Sequence, residues 1–273
     1  MPHKPKLGQN FLVDAGAVAR IVAALGDLAG RTVVEIGPGR GAITDALAAR
    51  AGHVVAIEFD RELAAGLRKR FDAERVTPAP VTPGDVTIVE QDVLQFDFAA
   101  AAVRAGERLR VAGNLPYYIT SPILLKLAAS HAALDLAVLM VQREVAERVT
   151  SAPGSRDYGL LSVTAQMYGP AEPLFTLPPA AFSPPPQVHS TVFRWRFAPR
   201  FAELRLDENG FLRFLRQAFA QKRKTLGNNL RAAGVAPAAA AAALASAGIA
   251  AQTRAEAVPV EALAALWREL NKE

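Results

Sequence analysis

The stretch that most limits what this chain can fold into is Thr32-Val33-Val34-Glu35-Ile36, which runs directly into Gly37-Pro38-Gly39-Arg40-Gly41. β-branched residues at four of five positions predict a buried strand. The alternating glycines after it give a backbone that a ligand can approach closely. A helix is expected from about Ala42 to Ala51, a second strand over Val54–Glu58 and a charged helix around Asp60–Phe71. Further strands are expected at Asp85–Glu90, Leu109–Ala112 and Leu134–Val141, the last after a helix at about Pro122–Ser130. Strands alternating with helices at this spacing predict an α/β fold: a Rossmann-like, doubly wound sheet with its ligands at the carboxyl ends of the strands.

Around this pattern lie less regular pieces. Asp14 is placed to cap a helix running to Leu25, with Val18, Ile21, Val22 and Leu25 on one face. Thr77–Gly84 holds three prolines and reads as a surface loop. Gln142–Val149 and Leu160–Met167 have helical spacing, Phe182-Ser183-Pro184-Pro185-Pro186 is stiff and extended, and Thr191–Phe197 alternates as a final strand. Beyond Asp207 only helices are expected, at about 208–220, 222–232, 237–247 and 260–270. The change of pattern near 199–206 divides the chain into a domain over residues 1–200 and a small all-helical domain over 201–273. The alanine run at 238–243 is helix-friendly and carries no chemistry of its own.

The 273 residues contain no cysteine, which excludes disulfides, zinc–thiolate sites and a cysteine nucleophile. The four histidines are scattered and form no paired metal-ligand motif, so no metal is expected. No apolar run reaches spanning length and no signal-peptide core follows the N-terminus, so a cytoplasmic protein is expected, with no membrane partner. Of the net charge of +5, residues 200–273 supply +4 (11 basic, 7 acidic), while residues 11–199 nearly balance (18 basic, 19 acidic). An excess at the ends suits a polyanion.

Gly113-Asn114-Leu115-Pro116-Tyr117-Tyr118 follows the expected strand at Leu109–Ala112. An Asn-Leu-Pro-Tyr tetrad at a strand end suits chemistry on the exocyclic amine of adenine, a poor nucleophile whose lone pair is delocalised into the ring. The Asn114 amide oxygen and the Leu115 carbonyl can accept its two N–H bonds, Pro116 stiffens the backbone, and Tyr117 can stack on the base. A strand followed by a proline turn with two core tyrosines would leave the same trace. Glu58 lies 21 residues beyond Gly37, where a carboxylate can accept both ribose hydroxyls of a nucleoside cofactor. That pair suits NAD as well as S-adenosylmethionine. The Gly-x-Gly-x-Gly spacing, and Asp92 after the third strand as an acceptor for an adenine amino group, favour the sulfonium cofactor. Lys222, Arg223 and Lys224, within the acid-free stretch from Phe211 to Ala255, suit the phosphates of a nucleic acid, and a solvated helix face would leave the same run. Phe182 on its stiff loop can form a second wall around a flipped-out base; taken alone, a phenylalanine there reads more readily as a core residue.

Taken together these motifs resemble the ribosomal RNA adenine dimethyltransferases of the KsgA/RsmA family. The resemblance runs through Gly8–Leu12, Glu35–Gly41, Glu58–Asp60, Gln91-Asp92, Asn114–Pro122, Tyr158–Val163, Phe182–Val188 and Gln221–Leu226, so it covers nearly the whole chain. It implies a class I (Rossmann-like) S-adenosylmethionine-dependent methyltransferase domain with a small C-terminal helical domain. It further implies transfer of four methyls to the N6 atoms of two adjacent adenosines in the hairpin loop near the 3′ end of small-subunit (16S) rRNA. The expected partner is that RNA within a pre-ribosomal 30S particle, met by a monomer. By the same resemblance Asn10, Leu12, Gly37, Glu58, Asp92 and Asn114 line the cofactor site, with the Asn10–Leu12 segment closing over it. Asn114, Leu115, Pro116, Tyr117 and Phe182 handle the target base. The proline-rich loop and the alanine-rich C-terminal region depart from the family pattern.

Three other readings remain open at this level. One is the related Erm type, which modifies large-subunit RNA and whose tetrad is more often Asn-Ile-Pro-Tyr. Another is a ribosome-assembly factor that keeps the fold without catalysis. The third is a nicotinamide oxidoreductase.

Overall fold

In the computed structural model, residues 10–74 and 84–272 are described. Nine strands are seen among them: β1 (Phe11–Leu12), β2 (Thr32–Ile36), β3 (His53–Glu58), β4 (Asp85–Glu90), β5 (Leu109–Asn114), β6 (Leu134–Gln142), β7 (Ala171–Leu177), β8 (Phe182–Ser183) and β9 (Ser190–Arg196). Seven form one sheet in the order β4-β3-β2-β5-β6-β9-β7. The β4-β3-β2-β5-β6 portion is parallel, and β9 adds antiparallel to β6. The buried side chains of Val33, Val54, Val111, Ala112 and Val138 explain the near-continuous apolar reading of these strands. The fold is the expected Rossmann-like α/β arrangement.

The strand order reverses between β2 and β5, which are direct neighbours. A crevice opens at such a reversal, beyond the carboxyl ends of the strands. Gly37 leaves β2 there, Glu58 ends β3 and Asn114 ends β5. The register fixes more than position. Glu35 stands level with Ala56 on β3 and Ala112 on β5. Side chains alternate along a strand, so Glu35, Glu58 and Asn114 share one face of the sheet.

The chain forms two compact units. One holds the residues up to Ala146 together with Glu172–Phe197, and the other holds Glu147–Ala171 together with Ala198–Glu273. A single boundary near residue 200 therefore marks only one of three crossings. The helical unit also takes in the helix Leu160–Tyr168. Its reason is long-range: Tyr158 is fully buried and its hydroxyl donates to the carbonyl of Val258 at 3.2 Å. Tyr168 likewise donates to Glu208 at 2.7 Å.

Among the strands and α-helices, β1, the helix Phe98–Ala105 and β7 went unforeseen. The helix expected over 222–232 begins only at Leu226, with Thr225 as its cap. Lys222, Arg223 and Lys224 thus lie in the turn before it. Nearly all of the Thr77–Gly84 loop, and Gly8 and Gln9 of the N-terminal motif, fall outside the described residues.

Candidate functional site

The turn after β2 carries Gly37 at φ +67° and Gly39 at φ +58°. A Cβ at residue 39 would stand 2.9 Å from the Phe11 ring, so glycine is what lets β1 lie across the turn. The Arg40 guanidinium covers the same ring at 4.5 Å. β1 is in turn paired antiparallel with β8, Leu12 opposite Phe182.

Glu58 is nearly buried, and both its oxygens are held by backbone. Gly39 N–H donates to Oε2 at 3.0 Å and Asp60 N–H to Oε1 at 2.9 Å. Burial raises its pKa, and these two backbone bonds oppose the rise. The carboxylate is thereby oriented across the glycine turn, with the Phe59 backbone adding to its hold. Asp92 caps the short 3₁₀ turn Val93–Gln95, its Oδ1 accepting from Leu94 N–H at 2.9 Å.

Two cavities meet at this edge of the sheet. The first is bounded by Asn10, Leu12, Glu35, Gly37, Glu58 and Asn114, with Leu115, Pro116 and Tyr117 on its far wall. The second is bounded by Asp92, Val93, Ile57 and Ile123 and shares Gly37, Glu58 and Tyr118 with the first. Asn114 Nδ2 donates to the carbonyl of Asn10 at 2.9 Å. The Leu115 N–H is spent on Met140 O at 2.9 Å and the Pro116 carbonyl on Thr120 Oγ1 at 2.9 Å. The Tyr117 hydroxyl is tied to Ser190 Oγ at 2.9 Å, which fixes the ring at the cavity wall.

All but one of the residues singled out for the cofactor and the target base in the sequence border these two cavities. The exception is Phe182. It is 4% exposed, borders neither cavity and packs in the hydrophobic core with Leu12. Its place in the structure is under β1, where it secures the segment that overlies the glycine turn.

Glu35 stands in the sequence as a strand residue heading the glycine motif, with no site role assigned to it, yet it borders the first cavity at 1% exposure. Thr44 Oγ1 donates to its Oε2 at 2.6 Å. Burial pushes its pKa up to about 8 despite that bond, with Asp45 and Glu58 adding to the rise and Arg70 opposing it. An acidic residue inside an apolar strand was the available signal.

In the helical unit, Lys222, Arg223 and Lys224 are exposed on a turn closed by Lys224 N–H to Gln221 O at 3.0 Å. Buried Asn229 braces that turn, donating to Ala218 O at 2.7 Å and to Gln221 O at 3.3 Å. Lys222 borders a groove with Arg156 and Arg254, two cations that the sequence pattern alone did not bring together.

The left-handed glycines, the diol-sized carboxylate of Glu58, the acid at Asp92 and the buried acid at Glu35 fit a nucleoside with a cationic tail. Comparison with known proteins agrees. The profile of the family "Ribosomal RNA adenine dimethylase" matches residues 2–272. A ribosomal RNA small subunit methyltransferase A from Acidobacterium capsulatum is 62% identical over 98% of this chain and 92% of that one. Its counterpart from Koribacter versatilis is 51% identical over 98% of this chain and 95% of its own. Among solved structures, a dimethyladenosine transferase from Plasmodium falciparum matches in fold with a TM-score of 0.78 at 22% identity, over 94% of this chain and 95% of that one. The chain belongs to the ribosomal RNA adenine dimethylase family.

Proposed function

We propose that this enzyme, an S-adenosylmethionine-dependent methyltransferase, dimethylates N6 of two adjacent adenosines in the 3′-terminal hairpin loop of small-subunit rRNA. The observation that carries this reading is the state of Asn114. Its amide nitrogen is already engaged by Asn10, which leaves the carbonyl oxygen as the end that meets an incoming amine. The names of the two close relatives support the small-subunit substrate.

The cofactor supplies a methyl group on a positively charged sulfur, an electrophile that needs no metal or strong base. Glu58 would hold its ribose hydroxyls, Asp92 its adenine amine, and Gly37 and Gly39 would let it lie against the backbone. Asn10 and Leu12 would close over it. Asn114 and the Leu115 carbonyl would accept the target N–H bonds, concentrating the nitrogen lone pair toward the methyl, while Tyr117 stacks on the base. Alignment and these fixed dipoles carry the rate. The proton leaves after the nitrogen has been alkylated and become acidic. Lys222, Arg223 and Lys224, with Arg156 and Arg254 beside them, would hold RNA phosphates. The enzyme would act as a monomer in the cytoplasm, on a partly assembled 30S particle.

The test is to incubate the purified protein with small-subunit particles from cells lacking the modification and to map the rRNA by mass. Two dimethyladenosines in the 3′-terminal loop are expected. Modification of naked large-subunit RNA instead would replace this reading with the Erm type.

A further inference from the structure

Two acidic side chains, Glu35 and Glu58, face one cavity, and among the described residues neither forms an ion pair. Glu35 is the deeper. Its strand neighbours at the same level are Ala56 and Ala112, both fully buried and unable to donate a hydrogen bond. The helix Ala42–Ala48 offers it the Thr44 hydroxyl but also the like charge of Asp45. The nearby cation, Arg70, is committed elsewhere, to Asp45 at 2.9 Å and to the Arg40 carbonyl at 3.1 Å. Arg40 itself lies over the Phe11 ring. From β5 comes neutral Asn114, and from the overlying segment Asn10, Phe11 and Leu12, none of them charged. A carboxylate so placed is costly to ionise unless a positive charge enters beside it.

S-adenosylmethionine carries one net positive charge and its demethylated product carries none. We propose that Glu35 is the group by which this site tells cofactor from product. It holds a proton in the empty cavity, gives that proton up as the cation enters, and regains one when the sulfur has lost its charge. This rests on the cofactor assignment above.

The step balances. The amine lone pair forms the new N–C bond, the C–S bond breaks with its electron pair left on sulfur, and the nitrogen sheds one proton. Glu35 takes up one proton from water, so the charge held in the site is the same before and after. The product then sits beside a neutral acid, without the attraction that held its precursor. The affinity for cofactor rises with pH across the range where Glu35 would otherwise be protonated, and the affinity for product does not.

Titration calorimetry in two buffers of unlike ionisation enthalpy counts the protons. The sulfonium makes the amine of S-adenosylmethionine more acidic than that of S-adenosylhomocysteine, and any proton that amine takes up on binding opposes the release from Glu35, so the Glu35→Gln variant supplies the baseline. At pH 7 close to one proton is expected to be released per S-adenosylmethionine bound, and far fewer with the product. The affinity ratio of the two is expected to rise about tenfold from pH 6 to pH 7. Sinefungin, which carries a cationic amine in place of the sulfonium, is expected to behave like the cofactor. In Glu35→Gln, which can still accept from Thr44, the proton release and the pH dependence of the ratio are expected to vanish. Equal proton release with both ligands in the wild type would overturn the proposal, as would release that persists in Glu35→Gln. No RNA is present in the cell, so failure on small-subunit particles and failure here are separate results.

Discussion

The side-chain amide of Asn114 donates from Nδ2 to the backbone carbonyl of Asn10 at 2.9 Å. A carbonyl can only accept, so this contact fixes which end of the amide is nitrogen and which is oxygen. One residue thus couples the segment over the cavity to the polarity of the proposed target site. Asn114→Asp loses the donor and sets a negative charge against the Asn10 carbonyl. Asn114→Ala loses donor and acceptor together. Both are expected to lower methyl transfer by at least about 100-fold, with the circular dichroism spectrum unchanged. Single-turnover assays on small-subunit particles measure this, and wild-type turnover by either variant would sink the role given to the amide.

At Gly39 the glycine turn lies close against the Phe11 ring of β1. Gly39→Ala must accept φ +58° and drive a Cβ to 2.9 Å from the Phe11 ring. A loss of about 1 kcal/mol of stability is expected from the backbone conformation alone. Displacement of Phe11 is expected to weaken S-adenosylhomocysteine binding roughly tenfold, by analogy with other misplaced binding groups. Urea unfolding and calorimetry separate the two effects.

Tyr117 combines a ring at the cavity wall with a hydroxyl tied to Ser190 at 2.9 Å. Tyr117→Phe keeps the stacking surface and gives up about 1 kcal/mol of hydrogen bonding. Tyr117→Ala removes the platform as well, worth roughly 1–3 kcal/mol per stacked base. The phenylalanine variant is therefore expected to retain most kcat/KM and the alanine variant to lose it. Equal losses would assign the tyrosine to positioning through its hydroxyl.

Glu35 also makes stability depend on pH. Its folded-state pKa of about 8 lies above the ordinary 4.5. The stabilisation is thus fully present below the unfolded pKa and is lost as pH rises through the folded one. Between about pH 5 and pH 8 the unliganded protein is expected to lose up to about 1.4 kcal/mol per pH unit from this group. Burial moves Glu58 in the same direction. Glu35→Gln is expected to flatten the slope, and chemical denaturation at pH 6, 7 and 8 reads it directly.

The basic turn of the helical unit is open to a cleaner test. Replacing Lys222, Arg223 and Lys224 with alanine removes exposed charges and leaves the brace at Asn229 in place. RNA affinity is expected to fall at least tenfold, and the slope of log affinity against log salt is expected to shrink by about 2 to 3. An unchanged slope would place the phosphates elsewhere.

The parallel strands and the glycine turn were legible in the sequence because β-branched runs ending in glycine have few other ways to fold. Other features needed three-dimensional information. β7 contains Glu172 and Pro173, is half-exposed and lacks alternation, so nothing local marks it. The membership of residues 147–171 in the helical unit depends on contacts such as Tyr158 to Val258, a hundred residues apart. Phe182 looked like an aromatic on a loop, and only its pairing partner Leu12 shows that it faces the core. Glu35 stood in plain view as an acid in an apolar strand, but its solitude depends on Ala56 and Ala112, contributed by other strands.

The clasp formed by Phe11–Leu12 and Phe182–Ser183 joins the first described strand to one of the last in its unit. During synthesis the glycine turn emerges early, yet the piece that pins the N-terminal segment across it is translated some 140 residues later. A growing chain can therefore form the glycine turn long before the strand that pins β1 across it exists. A fragment ending before residue 182 lacks the pairing partner of β1.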